Sequence, residues 1–131
     1  MPSRLPCLLL IDDDDVTTFL NKNLIKRLSI CDNVDVARNG REGMEKLNNL
    51  KCPTLIFLDL NMPVMDGFEF LVLFNNLSLE KKENINIVVL TSSLNPLDLE
   101  RLTELGVKHV LNKPLKPDQL LTLITQLYSA S

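Results

Sequence analysis

The fold of this chain is decided by the stretch PTLIFLDLNMPVMDG at residues 53–67. Four consecutive apolar residues, Leu55 to Leu58, run directly into Asp59, and a polar segment with Pro63 and Gly67 follows. A short apolar run bounded by turn-forming residues is typical of a strand that is buried on both faces of a parallel sheet. Ligands of open parallel sheets bind outside the carboxyl ends of the strands. The sequence therefore places Asp59 where a ligand would bind.

The composition is that of an ordinary globular domain, with 131 residues of which 45% are hydrophobic and 24% charged. We expect a single domain over residues 1–131, with its core at about residues 5–128. The net charge of −3 argues against nucleic acid or an anionic membrane as the main partner. No apolar run approaches the roughly 20 residues that cross a bilayer, and no signal-peptide pattern opens the chain. We therefore expect a cytoplasmic protein.

The cysteines, Cys7, Cys31 and Cys52, are odd in number and lack CxxC spacing. This pattern argues against both a zinc site and a disulfide framework. We expect free, buried or half-buried thiols in a reducing compartment.

Strand and helix patterns alternate along the whole chain. Apolar or alternating runs predict strands at residues 7–11, 34–38, 55–58, 85–90 and 107–111. After the first run, apolar residues fall at helical spacing at Val16, Phe19, Leu20, Leu24 and Leu28. Capping residues mark helix ends at Asp14 or Asp15, Asn39, Asp66, Asn95, Gly106 and Pro117. Residues 80–83 are expected to form a charged loop.

This alternation predicts an α/β fold of the (βα)5 type, a doubly wound parallel sheet. We expect the flavodoxin-like strand order 2-1-3-4-5, which makes the first and third strands neighbours. Asp12, Asp13 and Asp59 then lie in one crevice. Thr91 and Lys113, which follow the fourth and fifth strands, reach the same rim.

Carboxylates that converge in this way repel one another, so they either raise their pKa values or bind a cation. Oxygen ligands without Cys or His indicate a hard ion, and a site with few protein ligands suits Mg²⁺ or Mn²⁺ better than Ca²⁺. Lys113 adds a positive charge and Thr91 a hydroxyl donor. Together these groups suit phosphoryl transfer, with Asp59 as a nucleophile able to form an aspartyl phosphate.

Four short motifs end the predicted strands: LLLIDD at residues 8–13, LDLNMPVMDG at 58–67, VLTS at 89–92 and KP at 113–114. In this order, they resemble the motifs of the receiver domain of two-component response regulators. The resemblance is collinear over roughly residues 5–128. It identifies the chain as a single receiver domain.

The resemblance implies a role for each site residue. Asp59 would be the phosphoacceptor, Thr91 and Lys113 would contact the phosphoryl oxygens, and a cis Lys113-Pro114 bond would aim the lysine. The donor would be a phosphohistidine on a histidine kinase or a histidine phosphotransfer protein, and the phosphorylated chain would regulate a further, unidentified protein. Such a chain is no enzyme in the usual sense, because it catalyses only its own phosphorylation and slow dephosphorylation.

The resemblance also implies the metal site. Asp12, Asp13 and Asp59 would hold Mg²⁺, with Mn²⁺ as the alternative ion. Asn61 would be a further ligand through its main-chain carbonyl.

Three alternative functions remain to be weighed. A pseudo-receiver, which binds a partner without phosphorylation, would lack Asp59, Lys113 or the acidic pair Asp12 and Asp13. All four residues are present. A hydrolase of the haloacid dehalogenase type would need an acid two residues after the nucleophile, where Asn61 stands. A flavodoxin would need a phosphate loop rich in Ser, Thr and Gly after the first strand, and that segment is acidic.

The chain departs from the receiver pattern at Val110, where many receivers carry a Tyr or Phe that turns inward on activation. We therefore expect phosphorylation to be felt around residues 61–66 and 92–97 and little at the last strand and helix. Because the sequence carries no output-domain pattern after the last predicted helix, we expect either a stand-alone receiver or a domain excised from a longer protein.

Overall fold

The computed structural model describes residues 7–49, 54–60, 66–83, 85–92 and 95–128, in which strands alternate with helices. The strands are β1 (Cys7–Ile11), β2 (Val34–Ala37), β3 (Thr54–Leu58), β4 (Ile85–Thr91) and β5 (Val110–Asn112). The helices are α1 (Asp15–Arg27), α2 (Gly40–Asn48), α3 (Gly67–Asn75), α4 (Leu79–Lys82), α5 (Pro96–Glu104) and α6 (Pro117–Tyr128). No helix within these ranges is both long and apolar enough to cross a membrane.

The described strands form one parallel sheet in the order β2-β1-β3-β4-β5, which confirms the predicted topology. Ile11 at the end of β1 pairs with Leu58 at the end of β3, and Leu58 pairs with Val89 of β4. This register brings the residues that follow β1 and β3 side by side at one edge of the sheet.

Alternate residues of the strands point into two separate cores, as a doubly wound sheet requires. Leu8 and Leu10 lie in a core that is completed by α1 and α6. Leu9 and Ile11 lie in a second core, on the opposite face, that is completed by α2, α3 and α5. All residues of β1 and β3 are buried, because helices cover both faces of the central strands.

Local side-chain hydrogen bonds begin the helices where the sequence predicted. The side chains of the N-cap residues accept hydrogen bonds from backbone N–H groups in the first turns of α1, α2, α3 and α5; the caps are Asp14, Asn39, Asp66 and Asn95. After α5, Gly106 has φ 85°, and the N–H groups of Gly106 and Val107 donate to carbonyls of the last turn. This is the Schellman arrangement, which favours glycine.

Helix α1 presents a different face to the core from the one its apolar residues suggest. Its buried residues are Asn21, Leu24 and Ile25. In contrast, Val16, Phe19 and Leu20 are 66%, 63% and 59% exposed. These apolar side chains therefore lie on the outer face of α1, and the core contacts come from the face that carries Asn21, Leu24 and Ile25.

Two further segments differ from the prediction. The charged segment after α3 is not a loop but contains the short helix α4, and the Lys82 ammonium donates to the carbonyl of Asn75 at the end of α3. Strand β5 begins at Val110 rather than Val107, because the N–H of Val107 is used to close α5.

The cysteines differ from one another. Cys31 is buried and forms no disulfide, as predicted, but Cys7 is disulfide-bonded, so the prediction of thiols outside disulfides is wrong there. Cys52 lies outside the described residues. Strand pairing brings Cys7 beside Thr54, which is distant in sequence, and such proximity cannot be read from cysteine spacing.

Candidate functional site

The candidate site lies at the carboxyl ends of β1 and β3. Asp12 follows β1 and is 7% exposed, and Asp59 follows β3 and is 6% exposed. The N–H of Asp59 donates to the carbonyl of Ile11 at 2.9 Å, which fixes the two acidic residues side by side. Carboxylate oxygens of Asp12, Asp13 and Asp59 lie within 4.8 Å of one another, and Asp13 is exposed. The structure thus brings together the three predicted carboxylates.

Lys113 supplies a positive charge between two of these carboxylates. Its Nζ lies 2.8 Å from Oδ2 of Asp12 and 3.4 Å from Oδ1 of Asp59. The side chain of Lys113 is only 17% exposed, and the Lys113-Pro114 peptide bond is cis, as expected. The ammonium group therefore bridges residues from opposite ends of the sequence.

The charge of Lys113 is stabilised by its surroundings. Burial alone would lower the pKa of the ammonium group. The hydrogen bond to Asp12 and the negative charges of Asp12 and Asp59 outweigh burial, so the pKa is raised above its ordinary value. Lys113 is thus a permanent cation at neutral pH.

Thr91 is brought to the same edge as the last residue of β4. It is fully buried, and its carbonyl accepts a hydrogen bond from the N–H of Lys113 at 2.8 Å. Its neighbour on β5 is Asn112, which precedes Lys113. The backbone therefore links Thr91 directly to the bridging lysine. Asn61, the predicted main-chain ligand, lies outside the described residues.

Asp14 orients Asp12, a role that the sequence did not reveal. Its backbone N–H donates to Oδ1 of Asp12 at 2.9 Å, which leaves Oδ2 to Lys113. The Asp14 side chain caps α1 and accepts from the Thr17 hydroxyl at 2.7 Å. The Thr17 hydrogen bond, followed by the one from the Val16 N–H, lowers the pKa of Asp14. A bond from a backbone N–H has no signature in residue type, so no sequence pattern could have indicated it.

Gly67 sets the position of Asp59 from the other side. Its N–H donates to the carbonyl of Leu60 at 3.0 Å. A Cβ at this position would lie 2.6 Å from the carbonyl oxygen of Asp59 and 2.8 Å from Cα of Leu60, too close for any other residue. The start of α3 therefore packs directly on the backbone that carries Asp59. The sequence predicted that Asp66 caps this helix, but the close approach of Gly67 to Asp59 required the structure.

This arrangement has defined chemical capabilities. The carboxylate cluster offers oxygen ligands to a hard divalent cation, and the composition of the cluster fits Mg²⁺. Asp59 contacts Lys113 at a longer distance than Asp12 does, so its oxygens are less committed to the ion pair. A nucleophilic carboxylate beside a fixed cation is suited to accept a phosphoryl group.

Comparisons with known proteins point to one family of domains. A family model described as the response regulator receiver domain matches residues 8–125. The probable C4-dicarboxylate response regulator DctR of Halalkalibacterium halodurans is 31% identical over 90% of this chain and 49% of its own length. The sensor histidine kinase CheAY of Helicobacter pylori is 32% identical over 88% of this chain and 14% of its own. The chain thus spans half or less of these relatives.

A solved structure extends the similarity to the fold. The two-component response regulator from Cytophaga hutchinsonii superposes with a TM-score of 0.85 at 30% identity. The match covers 95% of this chain and 98% of that one.

Proposed function

Because the chain belongs to the response regulator receiver domain family, we propose that it accepts a phosphoryl group on Asp59 and thereby regulates a partner protein. The observation that carries the proposal is the cluster of Asp12, Asp13 and Asp59, with Lys113 bridging two of the three carboxylates. The function of a pseudo-receiver does not require a lysine held by two nearly buried carboxylates. Phosphoryl transfer uses each of these groups.

The positions of the side chains support the following transfer. A carboxylate oxygen of Asp59 attacks the phosphorus of a phosphohistidine, a P–O bond forms, and the P–N bond breaks as the imidazole leaves with its electron pair. Lys113, whose pKa is raised, remains charged throughout and neutralises the phosphoryl oxygens. Thr91 offers its hydroxyl from the end of β4. Water later attacks the phosphorus, which releases phosphate and restores the carboxylate.

The metal site consists of the same acidic residues. Asp12, Asp13 and Asp59 would hold Mg²⁺, or Mn²⁺ as the alternative, and the main-chain carbonyl of Asn61 would add a ligand. When bound, the ion supplies compensation for the negative charge on the phosphoryl oxygens. Oδ1 of Asp12 is already held by the N–H of Asp14, so the carboxylate is oriented before an ion arrives.

The phosphodonor is proposed to be a histidine kinase or a histidine phosphotransfer protein, in agreement with the similarity to CheAY, a sensor histidine kinase. Helix α1 begins beside the site and exposes Val16, Phe19 and Leu20. An exposed apolar patch of this kind marks a protein-binding surface. The net charge of −3 disfavours direct contact of this domain with nucleic acid, so the regulated partner is a protein.

Phosphorylation by acetyl phosphate tests the proposal. With Mg²⁺ present, the mass of the intact protein should rise by one phosphoryl group, because Asp59 combines nucleophile and charge compensation. Asp59→Asn should show no increase, while Asp118→Asn, which changes an exposed acid on α6, should behave like the wild type. Labelling that persists in Asp59→Asn would exclude Asp59 as the acceptor, and a wild type that is never labelled would favour the pseudo-receiver.

A further inference from the structure

The disulfide of Cys7 leaves one choice of partner within the chain. The sequence contains three cysteines, Cys7, Cys31 and Cys52. Cys7 is disulfide-bonded, and Cys31 forms no disulfide. Cys52, which lies outside the described residues, is therefore the only cysteine of the same chain that remains as the partner of Cys7.

The position of Cys7 argues against a bond to a second copy of the chain. Cys7 is 5% exposed and begins β1, which lies between β2 and β3 in the sheet. Its neighbour on β3 is Thr54, and Cys52 precedes Thr54 by two positions. Two residues of chain span at most about 7 Å, and adjacent strands lie about 5 Å apart. The chain itself therefore holds Cys52 near Cys7, whereas a cysteine of another molecule would have to enter the sheet.

The surroundings of Cys7 include a second buried sulfur that is not part of the bond. The side-chain amide of Asn33 donates to Sγ of Cys7 at 3.4 Å, and the carbonyl of Asn33 accepts from the thiol of Cys31 at 3.4 Å. Cys31 is fully buried. It therefore provides a matched control, because it is a buried cysteine of the same region that is not needed for the disulfide.

The bond lies at the opposite end of β1 from the acidic site. β1 leads from Cys7 to Asp12, and β3 leads from Thr54 to Asp59. A Cys7–Cys52 bond closes a loop over residues 7–52, which contains β1, β2 and the helices α1 and α2. Closure of a loop lowers the entropy of the unfolded chain and so raises the free energy of unfolding. The bond would thus stabilise the pairing of the two strands that carry Asp12 and Asp59.

We propose that Cys7 and Cys52 form an intramolecular disulfide, and that the redox state of this pair sets the stability of the sheet that carries the acidic site. In the reduction, a thiolate of a dithiol reductant attacks one sulfur, the S–S bond breaks, and the released cysteine thiolate takes up a proton. The second thiol of the reductant then displaces the other cysteine, which leaves two cysteine thiols and an oxidised dithiol. The reverse reaction uses an oxidised dithiol as the oxidant. The proposal goes beyond phosphorylation and does not depend on it.

Peptide mapping tests the pairing. The full chain, unfolded in urea and alkylated with iodoacetamide without a reductant, should gain one carbamidomethyl group, at Cys31. A protease digest of this sample should contain a peptide in which Cys7 is joined to Cys52, and prior reduction with dithiothreitol should allow all three cysteines to be alkylated. Alkylation of all three cysteines without a reductant, or a disulfide-linked dimer, would overturn the pairing.

Urea titration tests the effect on stability. Reduction is carried out in urea, where a buried bond becomes accessible, and alkylation of a sample verifies that it is complete. The reduced wild type, kept in dithiothreitol, should unfold at a urea concentration about 1–2 M below that of the oxidised wild type, because the loop is no longer closed.

Cysteine variants separate the bond from other effects of the reductant. In Cys52→Ser, dithiothreitol should leave the urea midpoint unchanged, whereas in Cys31→Ala it should lower the midpoint as much as in wild type. Each variant is compared only with itself in the two conditions, so a loss of stability caused by the substitution does not enter the comparison. A wild-type midpoint that does not respond to reduction, or an equal response in Cys52→Ser, would overturn the proposal. No phosphodonor is present in these experiments, so their outcome is independent of the proposed phosphorylation of Asp59.

Discussion

The ammonium group of Lys113 is shared unequally between two carboxylates. It is hydrogen-bonded to Asp12 at 2.8 Å, whereas Asp59 lies at 3.4 Å. Asp12 therefore makes the shorter contact to the ammonium group, and Asp59 makes the longer one. A phosphoryl group on Asp59, as proposed, would bring additional anionic oxygens toward Nζ, and a charge-assisted hydrogen bond is stronger than a neutral one.

Removal of this cation should slow phosphorylation without unfolding the protein. Lys113→Met takes away the charge that compensates the phosphoryl oxygens, and we expect the initial rate with acetyl phosphate to fall by about 100-fold. The control is Lys116→Met, an exposed lysine three residues further on, which should keep the wild-type rate. Intact-protein mass over time measures both. Equal rates for Lys113→Met and the wild type would contradict the role of Lys113.

The close approach of Gly67 to Asp59 makes a second prediction at the residue scale. Gly67→Ala places a Cβ 2.6 Å from the Asp59 carbonyl oxygen, so the loop must shift. We expect a loss of about 1–3 kcal/mol in the free energy of unfolding, together with slower labelling of Asp59.

Gly106→Ala provides the matched control. Gly106 has φ 85° and open space around it, so alanine there should cost about 1–2 kcal/mol through backbone conformation alone. Its labelling rate should remain that of the wild type. Urea titration and mass spectrometry give the two quantities, and a normal labelling rate in Gly67→Ala would show that Gly67 does not position Asp59.

Among the elements, α1 combines two tasks. Its first turn, capped by Asp14, belongs to the acidic site, and its outer face carries Val16, Phe19 and Leu20. The inner face packs Leu24 and Ile25 into the core. A phosphodonor protein that reaches Asp59 must approach the edge of the sheet from which α1 starts, so the apolar face lies beside its path.

Shortening Phe19 should therefore affect a protein donor and not a small one. We expect Phe19→Ala to slow transfer from a phosphorylated histidine phosphotransfer domain about ten-fold, which corresponds to about 1.4 kcal/mol of lost contact. The rate with acetyl phosphate should be unchanged, because that donor makes no contact with α1. Leu73→Ala, which alters an exposed apolar residue on α3, serves as the control. Equal slowing with both donors would show that Phe19→Ala disturbs the phosphorylation site itself rather than the binding of the donor protein.

At the scale of the whole molecule, the cluster of three carboxylates exists only when the sheet is formed. Asp12 and Asp13 follow β1, Asp59 follows β3, and the pairing of these two strands brings the carboxylates together. An ion that binds this cluster binds the folded state and not the unfolded chain. Its binding energy is then added to the stability of the fold.

Mg²⁺ should therefore stabilise the protein against urea. At about a hundred times its Kd, it should add about 2.7 kcal/mol to the free energy of unfolding. Asp13→Asn should weaken this gain, and because Asp13 is exposed, the substitution leaves the core intact. Asp118→Asn should keep the full gain. Equal stabilisation of wild type and Asp13→Asn by Mg²⁺ would show that Asp13 is not a ligand of the ion.

The amino-acid sequence by itself determined the alternation of strands and helices, most helix starts and the acidic residues at the strand ends. These features follow from local rules: the apolar run from Leu55 to Leu58 is typical of a strand covered on both faces, and residues such as Asn39 and Asp66 cap the turn that follows them. Right-handed connections predicted a doubly wound sheet, and the strand order was expected by analogy with the flavodoxin-like fold.

Only the tertiary structure decided how sequence-distant groups meet. Lys113 and Asp12, 101 positions apart, form the shorter of the two ion pairs in the site, and Arg101 stacks on Phe68 from another helix. The buried face of α1 and the bonded state of Cys7 were likewise not predictable. Each of these features depends on the distance between separate elements. The packing of the elements sets that distance, and it cannot be read from residue types or from their spacing along the chain.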